Sequence, residues 1–208
     1  MKIIRSVVTS LSENTYIYIN ENTKKAIIVD PGGEPKKLLN IIKENDIDLY
    51  AILLTHSHID HIGAISEILD YKKVPICCHE DEVMILGNPE MNLSLKLKRK
   101  NISFTPDVIF KDNDIFDFDG TKITVIHTPG HTQGSCCYLD LENNNIFTGD
   151  TLFRNSIGRT DLATGNYDSL ISSIKDKLFS LDDNINIFPG HGDPSSIKNE
   201  KENNSFIF

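Results

Sequence analysis

The stretch Thr55-His56-Ser57-His58-Ile59-Asp60-His61-Ile62-Gly63 follows directly on Ala51-Ile52-Leu53-Leu54, a short, wholly apolar run that reads as a buried strand. It spells H-x-H-x-D-H. In extended backbone, side chains two residues apart share a face, so His56, His58 and Asp60 are expected to point the same way. His61 then begins the turn into a helix expected over 62–69. Three imidazoles and a carboxylate so close together form a dense set of borderline ligands, suited to zinc, iron or manganese better than to calcium. The bland reading is a polar, His-rich surface loop. Against it, a buried strand end rarely carries three His without a partner charge.

Three further strand ends carry ligand-type residues. Thr128-Pro129-Gly130-His131-Thr132 bends the chain after an expected strand over 122–126, so that His131 points back across the strand ends. Phe147-Thr148-Gly149-Asp150-Thr151 places an Asp after a strand and a Gly, and Phe188-Pro189-Gly190-His191-Gly192 repeats the Pro-Gly-His pattern. Each alone is weak, because a His or Asp after a turn is usually structural or solvated. Together they mark one site, since ligands collect at strand ends in layered α/β folds. Five His and two Asp are too many for one catalytic zinc, which takes three protein ligands and leaves a position open. They suit two metals sharing a carboxylate and a bridging solvent, and a hydroxide shared in that way is a nucleophile at neutral pH.

The rest of the chain sets bounds. Its 208 residues carry 21 Lys and Arg against 30 Asp and Glu, a net charge of −9, which speaks against nucleic acid as a partner. No apolar run approaches a membrane span and the first residues lack a signal-peptide pattern, so a cytoplasmic protein with no membrane partner is expected. The cysteines form two adjacent pairs, Cys77-Cys78 and Cys136-Cys137, each a poor disulfide and best read as buried small apolar residues. Strands are expected over 7–19 with a break near Ser10-Leu11-Ser12, and over 26–29, 75–78, 108–118, 135–139, 145–147 and 185–188. Helices are expected over 35–45, 80–86 and 167–178, and 87–105 fits both helix and strand. Asp30-Pro31-Gly32-Gly33 reads as a turn. Strand-rich halves closed by helices indicate an α/β layered architecture.

The phrases HSHIDH, TPGHT, TGD and PGHG resemble the metallo-β-lactamase superfamily. That resemblance implies a single domain over 1–208 with a four-layer αβ/βα sandwich, two mixed β-sheets flanked by helices. It also implies a first metal site of His56, His58 and His131, a second of Asp60, His61 and His191, and Asp150 as the bridging carboxylate. The segments from Gly149 to Phe153 and from Ser156 to Leu162 narrow the likeness to the small, single-domain glyoxalase II-like hydrolases, which are related to hydroxyacylglutathione hydrolase. The activity implied is hydrolysis of a small-molecule thioester such as S-lactoylglutathione. Two divalent ions would serve, zinc first and iron or manganese as substitutes, and Asp60 would orient the hydroxide and take a proton.

Longer glyoxalase II enzymes carry a helical C-terminal domain that clamps glutathione. Only seventeen residues follow His191 here, which leaves the thiol open. The β-lactamases of the principal class place a Cys where Asp150 stands, which speaks against that activity. The persulfide dioxygenases share much of the pattern and bind one iron through residues like His56, His131 and Asp150. They are the alternative reading, with a metal-binding protein that turns nothing over ranked below them.

Three residues remain as positioning or substrate candidates. His127 would hold a ligand by hydrogen bond or be a structural His. Arg159 and Asp161 would pair and brace the metal loops, or Arg159 would meet an anionic substrate. His79, before a helix, is expected to be exposed. The run Lys96, Lys98, Arg99, Lys100 is a solvated face or the edge of a substrate cleft.

Overall fold

The computed structural model describes residues 1–98 and 100–207. It forms two compact units, Met1–Cys78 with Val83–Ile109 and His79–Glu82 with Phe110–Phe208.

The first unit is built on a six-stranded mixed sheet in the order β1-β2-β3-β4-β5-β6, with ranges β1 Lys2–Val8, β2 Glu13–Ile19, β3 Lys25–Val29, β4 Asp48–Leu53, β5 Ile76–His79 and β6 Val108–Phe110. Strands β1, β2 and β3 meander antiparallel, and β3, β4 and β5 then run parallel. A parallel pair needs a crossover, and helix α1 (Pro35–Glu44) supplies the one from β3 to β4. Pro35 opens α1, where a missing N–H costs nothing. Its Leu38 and Ile42, one turn apart, are fully buried against Ile28 and Ile52 of the sheet and Ile65 and Ile68 of a later helix. Because β3 and β4 run the same way, their C-terminal ends, Asp30 and the His56 stretch, emerge side by side.

The expected helix over 62–69 is instead two. Helix α2 (Ile59–Ile62) is a single turn and α3 spans Ile65–Tyr71. His58 is still extended, but helix begins at Ile59, so Asp60 does not continue the alternation of His56 and His58. The period-two expectation for Asp60 is therefore corrected. The turn is fixed from outside: the Ile59 N–H donates to the Asn92 carbonyl at 2.8 Å, and the Asn92 amide donates to the Ile102 carbonyl at 2.8 Å. The ambiguous 87–105 segment thus resolves as an irregular strap with one π-helical turn over Ser94–Lys98. Arg99 of the basic run lies outside the described residues.

The second unit begins with a short 3₁₀ turn over Glu80–Glu82, while α4 (Val83–Leu86) belongs to the first. Its mixed sheet has the order β14-β13-β10-β9-β8-β7. The ranges are β7 Ile115–Phe118, β8 Thr121–His127, β9 Cys136–Asp140, β10 Asn145–Gly149, β13 Asn186–Pro189 and β14 Ser195–Ser196. A small hairpin, β11 Leu152–Phe153 with β12 Ser156–Ile157, was not foreseen. The expected strand over 108–118 divides into β6 and β7 at a turn where the Lys111 N–H donates to Asp114 Oδ2.

Strands β8 and β9 are antiparallel, β9 and β10 are antiparallel, and β10 and β13 are parallel. It follows that β8, β10 and β13 all point the same way and deliver the residues after them to one edge. Helix α5 (Tyr167–Ser172), continued by a π-helical turn over Ser173–Leu178, buries Leu170, Ile174 and Leu178 at a spacing of four residues against Ile126, Ile146 and Ile187. Asn166 caps α5 by accepting the Ser169 N–H, and Ser196 caps α6 (Ile197–Asn203) in the same way. All four cysteines are buried and free, as expected. Among the described residues no helix is long and apolar enough to cross a membrane.

Candidate metal centre

In the first unit His56, His58, Asp60 and His61 cluster at the C-terminal end of β4, all buried. The His56 ring lies 4.9 Å from that of His58, edge to face, and 4.0 Å from that of His61. Buried imidazoles this close repel if charged, so the cluster calls for a shared cation.

Asp30, at the end of β3, organises it. Its Oδ1 accepts the Thr55 N–H at 2.8 Å and its Oδ2 accepts the Thr55 hydroxyl at 2.5 Å. The same Oδ2 lies 3.0 Å from His61 Nδ1. A carboxylate there fixes the proton on Nδ1 and leaves the Nε2 lone pair for a metal. Sequence reading missed Asp30, taking it as part of a turn. The signal was the position itself, an acid at the end of the strand parallel to the His strand. The carboxyl of Glu13 is also buried here, its Oε1 4.0 Å from His61 Nδ1, and burial pushes its pKa well above the usual carboxylate range. Gly32 packs under Asp60 so tightly that a Cβ on it would sit 1.5 Å from the Asp60 carbonyl oxygen.

In the second unit the parallel strands β8, β10 and β13 bring together His131, Asp150 and His191. Asp150 Oδ2 is 3.6 Å from His131 Nε2 and 3.6 Å from His191 Nε2. Both gaps exceed a hydrogen bond and fit ligand atoms around a cation (tetrahedral edges at bonds of about 2.1 Å are ~3.4 Å). One carboxylate oxygen facing two imidazoles equally is the placement a bridging ligand needs. His131 Nδ1 donates to the main-chain carbonyl of Arg159 at 2.7 Å, which leaves its Nε2 lone pair turned toward Asp150. Gly158 lies against Asp150, its missing Cβ 1.7 Å from the Asp150 carbonyl oxygen. The main chain of both candidate carboxylates, Asp60 and Asp150, thus rests on a glycine.

The other candidates lie as follows. Arg159 and Asp161 form a bidentate pair, both bonds 2.7 Å, on an exposed surface. That pairing holds the Asp161 carboxyl at about 2. Arg159 touches the candidate ligand His131 through its main-chain carbonyl. His127 Nε2 meets the Gln133 carbonyl at 2.9 Å and its ring stacks on His79, so its partners are neither His131 nor Asp150. His79, expected exposed, is buried. In the first unit a small cleft of about 140 Å³ opens beside Asp60, lined by Thr9, Ser10, Leu11, Ile59 and Leu97. A second, more open cleft of about 420 Å³ lies beside His191 and includes Phe153 and Arg154.

The imidazoles, carboxylates and their orienting partners fit divalent metal ions, and the sequence pattern of the metallo-β-lactamase superfamily matches residues 9–191. The chain belongs to that superfamily and has its fold, two mixed β-sheets flanked by helices, which places it among the metal-dependent hydrolases. It is 38% identical over 203 residues to hydroxyacylglutathione hydrolase GloC of Haemophilus influenzae, covering 96% of this chain and 95% of that protein. Among solved structures it is similar to the B3 metallo-β-lactamase BLEG-1, with a TM-score of 0.94, 33% identity and 99% of each chain covered. It is also similar to TTHA1623 in a di-iron-bound form, at TM-score 0.85 and 30% identity, covering 98% and 99% of the two chains.

Proposed function

We propose that this chain hydrolyses a small hydroxyacyl thioester of the S-lactoylglutathione kind, using two divalent ions, zinc first, held by His56, His58, Asp60, His61, His131, Asp150 and His191. The observation that carries this reading is the 38% identity to hydroxyacylglutathione hydrolase GloC across 96% of the chain. The position of Asp150 between His131 and His191 supports its bridging role. Such ions, when bound, supply a water acidic enough to attack near neutral pH and an electrophile for the thioester carbonyl.

The chain's own residues do the rest. Asp30 and the Arg159 carbonyl hold His61 and His131 in the ligating tautomer. Asp60 orients the attacking water and takes its proton on the carboxylate. The cleft beside Asp60 has room for little more than an acyl group, with Leu11 and Leu97 as apolar parts of its wall. Lys96 and Lys100, exposed on the segment that carries Leu97, offer cations to an anionic thiol. The substrate on this reading is a small molecule rather than a nucleic acid or membrane, and four free thiols suit a cytoplasmic protein.

A second reading is a persulfide dioxygenase with one iron at His56, His131 and Asp150; the relative TTHA1623 supports iron as the metal, although it holds two iron ions. Metal analysis of the purified protein, with parallel assays on S-lactoylglutathione, on glutathione persulfide with oxygen uptake, and on a chromogenic β-lactam, decides. Thioester cleavage above the other two activities is expected. Oxygen uptake or β-lactam turnover without thioester cleavage refutes the proposal, as does a metal-loaded protein inert in all three assays.

A further inference from the structure

The side chain of Glu200, on α6, is fully buried within the second unit. A buried carboxylate is costly unless its oxygens are bonded, and four neutral donors bond this one. Oε1 accepts the Ser195 hydroxyl, from β14, and the Asn199 amide at 2.7 Å. Oε2 accepts the Asn155 main-chain N–H and the Asn204 amide, both at 2.8 Å. Asn204, also fully buried, reaches on to the Ser156 carbonyl at 3.0 Å. Asn155 and Ser156 belong to the β11–β12 hairpin, and Asn155 stands 45 positions before Glu200. We propose that Glu200 is a positioning residue of the metal centre, fixing this hairpin and through it His131, Asp150 and His191. The proposal rests on the ligation of metal by those three residues and not on the choice of substrate.

The hairpin reaches each of the three ligands. Phe153, in β11, sets its ring edge to face against that of His191, with centroids 5.9 Å apart and planes at 87°. Ser156 and Ile157, in β12, lead straight into Gly158, which lies against the Asp150 carbonyl. Arg159 follows, and its carbonyl takes the His131 Nδ1 proton at 2.7 Å. The Ser156 carbonyl that Asn204 holds is thus three residues before the Arg159 carbonyl that orients His131.

The hairpin is too short to set its own position. Its strands share two residue pairs, Leu152 with Ile157 and Phe153 with Ser156, and an isolated two-stranded ribbon is marginal in water. Leu152 roots the outgoing strand in the core. The turn and the return strand are gripped by α6: Glu200 and Asn204 take main-chain atoms, and the Asn199 amide donates to Asn155 Oδ1 at 3.2 Å. The helix, in turn, stands on the sheet. Strand β14, just before it, pairs with β13, the Ile197 N–H donates to the Ile185 carbonyl at 3.0 Å, and the Ile197 side chain is fully buried in the core. Helix α6 is the fixed post and the hairpin is the part it holds.

Zinc affinity is measured by competition with a chromogenic chelator, for the wild type and for Glu200→Ala, Glu200→Gln, Asn204→Ala and Ser195→Ala. Each protein is held at a temperature where thermal unfolding shows it folded. Glu200→Ala frees the turn, and a loss of about tenfold is expected, the low end of what removing a ligand's own orienting partner does. Glu200→Gln should restore most of it. Its NH₂ turns to Ser195, whose hydroxyl accepts, while its oxygen keeps Asn155 and Asn204. Asn204→Ala drops the Ser156 carbonyl and should fall with Glu200→Ala. Ser195→Ala removes a bond to the same carboxylate on the oxygen that does not hold the hairpin, and should bind zinc as the wild type does. Wild-type affinity in folded Glu200→Ala overturns the proposal, and where that variant does not fold, wild-type affinity in Asn204→Ala does so. An equal loss in Ser195→Ala or in Glu200→Gln overturns it as well, because general destabilisation or loss of charge would then be the cause. The readout is zinc binding, so a protein that cleaves no thioester refutes the proposed substrate and leaves this result standing.

Discussion

Asp30→Asn isolates the orienting role of the carboxylate hydrogen-bonded to Thr55 and His61. The backbone tolerates it: Asp30 has φ +49°, a left-handed conformation that Asn adopts readily and Ala does not. The amide has one workable orientation. Its oxygen must stay where Oδ1 accepts the Thr55 N–H, because an NH₂ there would set donor against donor. The NH₂ then falls at the Oδ2 position, 3.0 Å from His61 Nδ1, where it donates and forces His61 to carry its own proton on Nε2. A metal at Nε2 must displace that proton and break the new bond. Loss of such an orienting partner costs 10–100-fold in metal affinity, about 1.4–2.8 kcal/mol. Stability changes less, since the bond to the Thr55 N–H survives and Thr55 Oγ1 turns from donor to acceptor. The assay is equilibrium dialysis of wild type and Asp30→Asn against buffered zinc, with thermal unfolding of the metal-free proteins alongside. Wild-type zinc affinity in a folded Asp30→Asn protein would refute the tautomer argument.

Other outcomes follow from the same geometry. Gly158→Ala forces a Cβ to within 1.7 Å of the Asp150 carbonyl, so it should destabilise the protein by at least the ~1–3 kcal/mol of an overpacked site and lower metal content, both read by thermal unfolding with metal analysis. Asp150→Ala removes the oxygen facing both His131 and His191 and should abolish turnover with the loss of at least one metal equivalent; full metal content would remove it from the ligand set. His79 has a pKa held below 6.5 by burial, then by His127. The unfolded chain therefore binds the extra proton, and stability should fall as pH drops through about 6.5. His79→Gln should flatten that part of the profile, measured by denaturant unfolding from pH 8 to 5.

Much of this architecture is legible from local pattern, because strands ending in Pro-Gly-His or Gly-Asp announce themselves. What escapes depends on distant partners. Asp30 has the composition of a turn, and only the parallel pairing of β3 with β4 places it beside Thr55 and His61. Asp60 leaves the alternation of His56 and His58 because Asn92, more than thirty residues on, receives the Ile59 N–H and starts a helix there. His79 reads as exposed before a helix. Its burial comes from the ring of His127, forty-eight positions away. The strap over 87–105 has no periodicity to read because its order comes from side chains bonding main chain: Asn92 and Ser94 each reach the Ile102 carbonyl.

The two oriented imidazoles differ in how heritable change can reach them. His61 depends on the side chain of Asp30, so one codon change removes its anchor. His131 depends on the main-chain carbonyl of Arg159, an atom that every amino acid supplies. Selection must therefore hold position 30 to one residue type, while at position 159 it need preserve only the path of the backbone. Related chains should drift at 159 and stay fixed at 30. The side chain at 159 is thus free to be recruited for other ends, with no toll on the ligand behind it.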